Sequence, residues 1–296
     1  MALLALVVLL GFGAIAAAIG YWGGERQVIA KVNERIVQPA LARFKAPATE
    51  EKIAWETAST HFFPLQIARV PLSQESGPAL MSITEIGGNI LYVTRLGVFG
   101  YLDTENRIQR LEGLQVQMGL DELAQSPLFR DPAFQLSEFR VIDLISTSAG
   151  DAAHDLYVSH HRYRNGCFEL VVSRARLISD AEGLRAASPD WEEIYVMEPC
   201  LQPKDLGMRF AGHEGGGRIQ LLNEDTLLLS VGVYQFDGMH APIQAGQDDA
   251  NALGKIIEIS IRTGQNRVFA RGLRNPQGLL VARDGRVWES EHGPRG

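Results

Sequence analysis

Cysteine is scarce in this chain, with two residues in 296, which excludes a small scaffold held together by disulfides. Cationic residues are also short: 28 Lys and Arg stand against 35 Asp and Glu, a net charge of −7. Sequence-independent nucleic-acid binding needs a surplus of cations to displace phosphate counterions, so no nucleic-acid partner is expected. Charged residues reach only 21% while hydrophobic residues reach 46%, which excludes a disordered or collagen-like chain. Glycine is plentiful, at 30 residues beside 13 prolines, so turns are frequent. The run Gly215–Gly217 is not a phosphate loop, because no Lys-Ser/Thr follows it and a strand pattern comes next.

Residues 1–22 lack any charged side chain. As a helix this stretch spans about 30 Å, enough for a bilayer core. Leu3–Leu10 followed by Ala16-Ala17-Ala18 fits a cleavable signal peptide, and the full apolar length fits an uncleaved anchor. Both place the body of the chain outside the cytoplasm, periplasmic or extracellular, secreted or anchored to the membrane through this segment. Residues 23–60 read as a helical stalk, with Val28, Val32, Ile36 and Leu41 at helical spacing, and a polar linker over Ala46–Thr60.

Residues 61–296 read as all-β. A turn residue, an aliphatic run and a closing Ser or Thr return four times: Asn89-Ile-Leu-Tyr-Val-Thr94, Asp155-Leu-Tyr-Val-Ser159, Thr226-Leu-Leu-Leu-Ser230 and Arg286-Val-Trp-Glu-Ser290. Ile90, Leu156, Leu227 and Val287 are 66, 71 and 60 residues apart, room for four strands and their loops. Strands are predicted over Val141–Thr147, Asp155–Arg164, Cys167–Leu177 and Glu192–Cys200, then over Gly217–Leu222, Thr226–Gly232, Lys255–Ile261 and Asn266–Arg271. A four-stranded antiparallel sheet repeated around an axis is a β-propeller; a sandwich does not restart a motif at this interval. Cys167 and Cys200 fall where adjacent antiparallel strands begin and end. They can meet as a disulfide around the polar loop Ser179–Asp190, or stand as two separate thiols.

Chemistry concentrates near the end of the chain. Arg274-Asn275-Pro276 sets a guanidinium and a carboxamide before a proline that enforces extended backbone. Gly293-Pro294 lies just past a strand end, where backbone carbonyls are free for a hard cation. His160 and His161 stand side by side in a strand, on opposite faces, and are not a metal pair. Gln247-Asp-Asp-Ala-Asn251 lacks the glycine and terminal Glu of an EF-hand and reads as a solvated loop.

Arg274-Asn-Pro-Gln-Gly278 and Glu291-His-Gly-Pro294, with His213–Arg218, Ser230-Val-Gly232 and Gly254-Lys-Ile256, make this sequence resemble the glucose/sorbosone dehydrogenase family. The resemblance implies a six-bladed propeller that oxidises an aldose sugar with pyrroloquinoline quinone and calcium, passing electrons to an extracytoplasmic acceptor. It implies that Arg274 and Asn275 contact the quinone, that the carbonyls of Gly293 and Pro294 ligate calcium, and that His213 is the general base. An imidazole suits that task because its unperturbed pKa of about 6.5 lies near working pH.

Two departures count against catalysis. His213 stands five residues before Arg218, where the family has four, and the family's Asp after Ser/Thr-x-Gly is here Val233. A valine cannot orient an imidazole; Asp237 is the carboxylate that could reach back to His213. The alternative to an oxidoreductase is therefore a propeller that binds carbohydrate or protein without catalysis. With the first blade opening near residue 80, the chain has room for little more than three blades. The expectation is an open arc of three to four blades from a longer protein.

Overall fold

The computed structural model describes residues 54–59, 64–69, 82–130, 138–202 and 212–293. The hydrophobic segment 1–22, the stalk over Glu25–Lys45 and Pro294 lie outside the described residues. No helix among the described residues is long and apolar enough to cross a membrane.

The chain divides into two units, residues 1–75 and 76–296. In the first, β1 (Ala54–Ser59) and β2 (Pro64–Arg69) form an antiparallel hairpin. Part of the stretch expected as a linker is therefore strand.

The described residues of the second unit form four antiparallel sheets. The first is β3 (Ser82–Ile86), β4 (Asn89–Val93), β5 (Val98–Leu102) and β6 (Ile108–Gln115) in sequential order. A short helix, α1 (Leu120–Gln125), leads to the second: β7 (Val141–Ser148), β8 (Ala153–Arg164), β9 (Cys167–Asp180), β10 (Gly183–Ala186) and β11 (Glu192–Val196). The third is β12 (Gly216–Asn223), β13 (Thr226–Val231), β14 (Lys255–Ser260) and β15 (Asn266–Arg271), and the fourth is β16 (Pro276–Val281) with β17 (Val287–Glu291). First strands neighbour one another in turn, β3 beside β7, β7 beside β12 and β12 beside β16. Each sheet is thus a blade, and the fold is the propeller arrangement that the repeat predicts.

The repeated motif falls on the second strand of every blade, and its terminal hydroxyl has a physical role. Ser159 Oγ donates to Gly217 O, and Ser230 Oγ donates to Pro276 O at 2.9 Å. Each serine, fully buried, ties its blade to the first strand of the next. Asp143 on β7 adds a second clasp: its oxygens accept from Ser82 Oγ at 3.1 Å, Arg218 Nη1 at 2.9 Å and the Ile219 amide at 3.0 Å, so it joins three blades. The middle strands are packed on both faces. Leu156–Tyr163 of β8 and Leu227–Val231 of β13 are buried without interruption; β13 is an almost wholly apolar run, whereas β8 buries Ser159, His160, His161 and Arg162 as well. Leu228, Ile256 and Leu279 carry this packing from the third blade to the fourth.

The second blade departs from the expected four strands. The loop Ser179–Asp190 folds back as β10, and both β10 and β11 pair with β9. Asp180 accepts from the Glu182 amide, Gly183 takes φ 111°, and Leu184 is buried, so a tight turn rather than a solvated loop follows β9. β11 stops at Val196, short of the predicted Cys200, as Pro199 has no N–H to offer the ladder. Cys167 and Cys200 are disulfide-bonded, beside a backbone bridge between Phe168 and Leu201.

Candidate functional site

Three loops converge on a cleft of about 520 Å3: residues 212–216 entering β12, 232–240 following β13, and 272–277 entering β16. The first two lie directly on each other. The Gly232 amide donates to Gly215 O at 3.0 Å and the Tyr234 amide to Glu214 O at 3.1 Å. A Cβ on Gly232 would stand 1.8 Å from Glu214 O, so only glycine permits this approach. Glu214, Tyr234 and Gln235 all take positive φ, at 58°, 49° and 71°. Such left-handed non-glycine residues cost about 1–3 kcal/mol each and cluster at functional sites, where the surroundings hold them. The additional glycine between His213 and Arg218 is absorbed by a bulge, because the β12–β13 register shifts between Gly216 and Ile219.

Arg274 is the hub of the cleft. Its Nε donates to Asp237 Oδ2 at 3.1 Å, its Nη2 to Glu214 Oε1, and its Nη1 to the His292 carbonyl at 3.2 Å. Its own amide donates to Glu291 Oε2 at 2.6 Å, and the Asn275 amide shares that oxygen at 3.3 Å. The His292 amide donates to Asn275 O at 3.1 Å. The two motifs that stood out in the sequence, Arg-Asn-Pro and Glu-His-Gly, are therefore laced together across the β16–β17 hairpin. Asn275 is 5% exposed, and its Oδ1 is buried with no hydrogen-bond partner among the described residues; Glu214 Oε2 is in the same condition. Both residues line the cleft, which accordingly presents acceptors in need of donors.

Glu214, Asp237 and His240 bring ligand atoms within 4.8 Å of one another, close enough for a metal ion. The Arg274 guanidinium already bridges the two carboxylates as their cation, so this cluster is complete without one.

Of the residues singled out in the sequence, His213, Arg274 and Asn275 share the cleft wall. Gly293 follows His292 past the end of β17, partly buried, and no described residue hydrogen-bonds its carbonyl. His213 is exposed, and no described residue hydrogen-bonds its ring. Asp237 does not reach back to it. Asp237 Oδ2 instead lies 2.9 Å from Nδ1 of His240, and Oδ1 accepts the amides of Met239 at 2.9 Å and His240 at 2.8 Å. Burial raises the Asp237 pKa, but the His240 amide and ring, the Met239 amide and Arg274 outweigh it and hold the carboxyl well below the usual range.

His240 also lines the cleft, and the sequence reading missed it. Its signal was the turn Asp237-Gly-Met-His240, in which Gly238 takes φ 81° and brings carboxylate and imidazole together. Val233 is 2% exposed and faces away from the cleft, its Cγ1 packed against the Gly246 and Gly254 backbone. Its amide donates to Arg274 O at 2.9 Å. His160 and His161 do face opposite ways: His160 Nε2 meets Ser173 Oγ at 2.9 Å, while His161 lines the cleft and its Nε2 meets Tyr234 OH at 3.0 Å. Burial lowers both, His160 to about 4 and His161 to about 3, so both rings are neutral near pH 7.

The polar segment 247–251 serves its own turn. Asp248 accepts from the Ala250 amide and from Asn251 Nδ2, and Asp249 pairs with Arg271. Behind it Lys255, fully buried, gives its ammonium to the carbonyls of Leu253 at 2.8 Å, Ala245 at 3.3 Å and Gly246 at 3.4 Å. That ammonium fixes the loop against which Val233 packs.

Residues 141–296 match the family model described as glucose/sorbosone dehydrogenase, more than half of the chain. The chain belongs to that family. Two solved structures are similar in fold to this glucose/sorbosone dehydrogenase family member, one described as a glucose dehydrogenase and one as the crystal structure of glucose dehydrogenase. They have TM-scores of 0.52 and 0.50 and 18% identity over 73% of this chain. The matches cover 62% and 57% of those chains, so the sequence spans about three-fifths of their length. No curated protein matches it.

Proposed function

We propose that this family member oxidises an aldose sugar or a related hydroxylated small molecule, using pyrroloquinoline quinone and calcium outside the cytoplasm. The observation that carries the reading is the cleft wall formed by Arg274 and Asn275, laced to His292, in a chain of this family. The quinone, when bound, accepts two electrons from the substrate. The residues present suit it: Arg274 supplies a rigid cation for its oxygens, and the Asn275 carboxamide stands beside it in the cleft wall. The Gly293 carbonyl, free past the strand end, suits a hard cation, with Pro294 next in the chain.

The chain's own residues would bind and orient. Glu214 Oε2 and Asn275 Oδ1 call for hydroxyl or N–H donors, which a polyhydroxylated ligand offers along its length. Arg274 keeps the two acidic loops at fixed spacing, and strained Tyr234 and Gln235 hold the wall between them. The Cys167–Cys200 disulfide supports an oxidising compartment, with the electron acceptor and the membrane reached there through residues 1–22.

A second reading rests on His213 and Val233. With no carboxylate on His213, the cleft binds carbohydrate or a protein partner without turnover. Adding quinone and calcium to the purified chain, then measuring absorbance and dye reduction with a panel of aldoses, separates the two. Quinone binding with dye reduction is expected. Absence of any absorbance change removes the first reading, and sugar binding without turnover favours the second.

A further inference from the structure

His240, not His213, has the surroundings of a base. Three facts separate these two among the histidines that line the cleft, His161, His213, His240 and His292. His240 has a carboxylate 2.9 Å from Nδ1, and His213 has no hydrogen-bond partner among the described residues. That carboxylate is fixed, its side chain 5% exposed and tied by two amides and by Arg274 Nε. The family position that would serve His213 is Val233, turned away into the Gly246–Gly254 backbone.

A carboxylate that stays ionised can only accept, so Nδ1 of His240 must carry the proton. That leaves a lone pair on Nε2. The ring is 43% exposed on its side chain, open enough to exchange a proton with solvent. This inference rests on the oxidoreductase reading above and deepens it.

We propose that His240, oriented by Asp237, is the proton acceptor for a hydroxyl bound in the cleft, in place of His213. In that step the substrate O–H bond breaks, its electron pair stays on oxygen, and an N–H bond forms at Nε2. The imidazolium so formed keeps its Nδ1–H on the Asp237 carboxylate, which balances its charge. Asp237 is a positioning residue: it sets the tautomer and the ring plane and touches no substrate. Arg274 links this pair to Glu214, whose free oxygen is an acceptor for a second hydroxyl of the same ligand.

Nitrogen-15 NMR of the histidine-labelled full chain tests the pair without turnover. The expected result is a His240 ring protonated on Nδ1, which becomes a mixture of tautomers in Asp237→Asn and returns in Asp237→Glu. Glucose added without quinone is expected to move the His240 Nε2 resonance more than either nitrogen of His213. With quinone and calcium bound, His240→Gln is expected to lower kcat about 100-fold or more while KM changes by less than about threefold.

A His240 ring protonated on Nε2 overturns the proposal, as does a ring indifferent to Asp237→Asn or a larger glucose response at His213. A greater loss of kcat in His213→Gln than in His240→Gln also overturns it. Because the NMR arms need no quinone, a chain that binds none removes the oxidoreductase reading while these arms still decide which ring is poised. The exposed position of His240 makes its substitution mild for folding, and the wild-type tautomer needs no variant at all.

Discussion

Asp143 and Asp237 each hold an arginine in the propeller unit, yet their environments push them in opposite directions. Asp143, 2% exposed in the seam between blades, has its pKa raised by burial, which outweighs the Ile219 amide, Arg218 and Ser82. Asp237, at the cleft, is lowered, because amides, an imidazole and a guanidinium together outweigh its burial. The seam uses its carboxylate to join backbone and side chains of three blades. The cleft surrounds its carboxylate with donors that keep it ionised. The arginines differ as well: Arg218 is 41% exposed on its side chain and Arg274 only 19%, so Arg218 can rehydrate if its partner is lost. The same ion-pair chemistry closes one site as a joint and sets up the other as a preorganised surface.

The largest test of this contrast is Arg274→Ala. It leaves the Glu214 and Asp237 carboxylates together without their cation, and a loss of about 3 kcal/mol or more is expected in the urea midpoint. Arg274→Lys should recover only part, since an ammonium lacks the fork that reaches both carboxylates and the His292 carbonyl. Asp143→Ala should cost less, about 2 kcal/mol, because Arg218 can turn to water while the Ile219 amide cannot. It should leave sugar or quinone binding at the cleft unchanged by titration calorimetry. Ser159→Ala and Ser230→Ala should each cost about 1 kcal/mol by thermal denaturation, the value of a buried hydrogen bond between blades.

The smallest effect at neutral pH is the acid response. Asp237 has a folded pKa below its unfolded value of about 3.9, so its stabilisation is complete above that pH and is lost as pH falls below it. Asp143 has a folded pKa above that value, so it opposes stability as pH rises through the same region and relieves it in acid. Urea midpoints between pH 5 and 2 should therefore fall less steeply in Asp237→Asn than in wild type, and more steeply in Asp143→Asn. Equal slopes in the three proteins would erase the distinction between seam and cleft.

Much of the fold was legible because the repeat has a physical cause. In the two middle blades the terminal serine of the motif reaches the next blade, as Ser159 and Ser230 do, while Thr94 in the first blade accepts the Val98 amide within its own sheet. The eight predicted strands of the middle blades lie where expected except around Ser179–Asp190 and beyond Val196, where the last strand of the second blade stops early. There, a polar composition concealed a hairpin stabilised by Leu184 beneath Tyr101, whose hydroxyl accepts the Leu184 amide at 3.4 Å. That contact joins residues 83 apart, and no local pattern encodes it. At the cleft, His213, Arg274 and Asn275 were legible as motif residues. The partner of each was not: the sequence offered Asp237 to His213, and the turn gave it to His240 and Arg274.

The sequence by itself determined the strands, their grouping into blades and the family. These depend on alternation, turn residues and short motifs, which are properties of neighbouring residues. Tertiary structure alone decided which histidine has a carboxylate, that Val233 faces away from the cleft, and that Arg274 pairs with both Glu214 and Asp237. Each of these depends on distances between loops that enter different blades. Those distances are set by the packing of β12 against β16 and by the glycine contact at Gly232, which no spacing along the chain reveals.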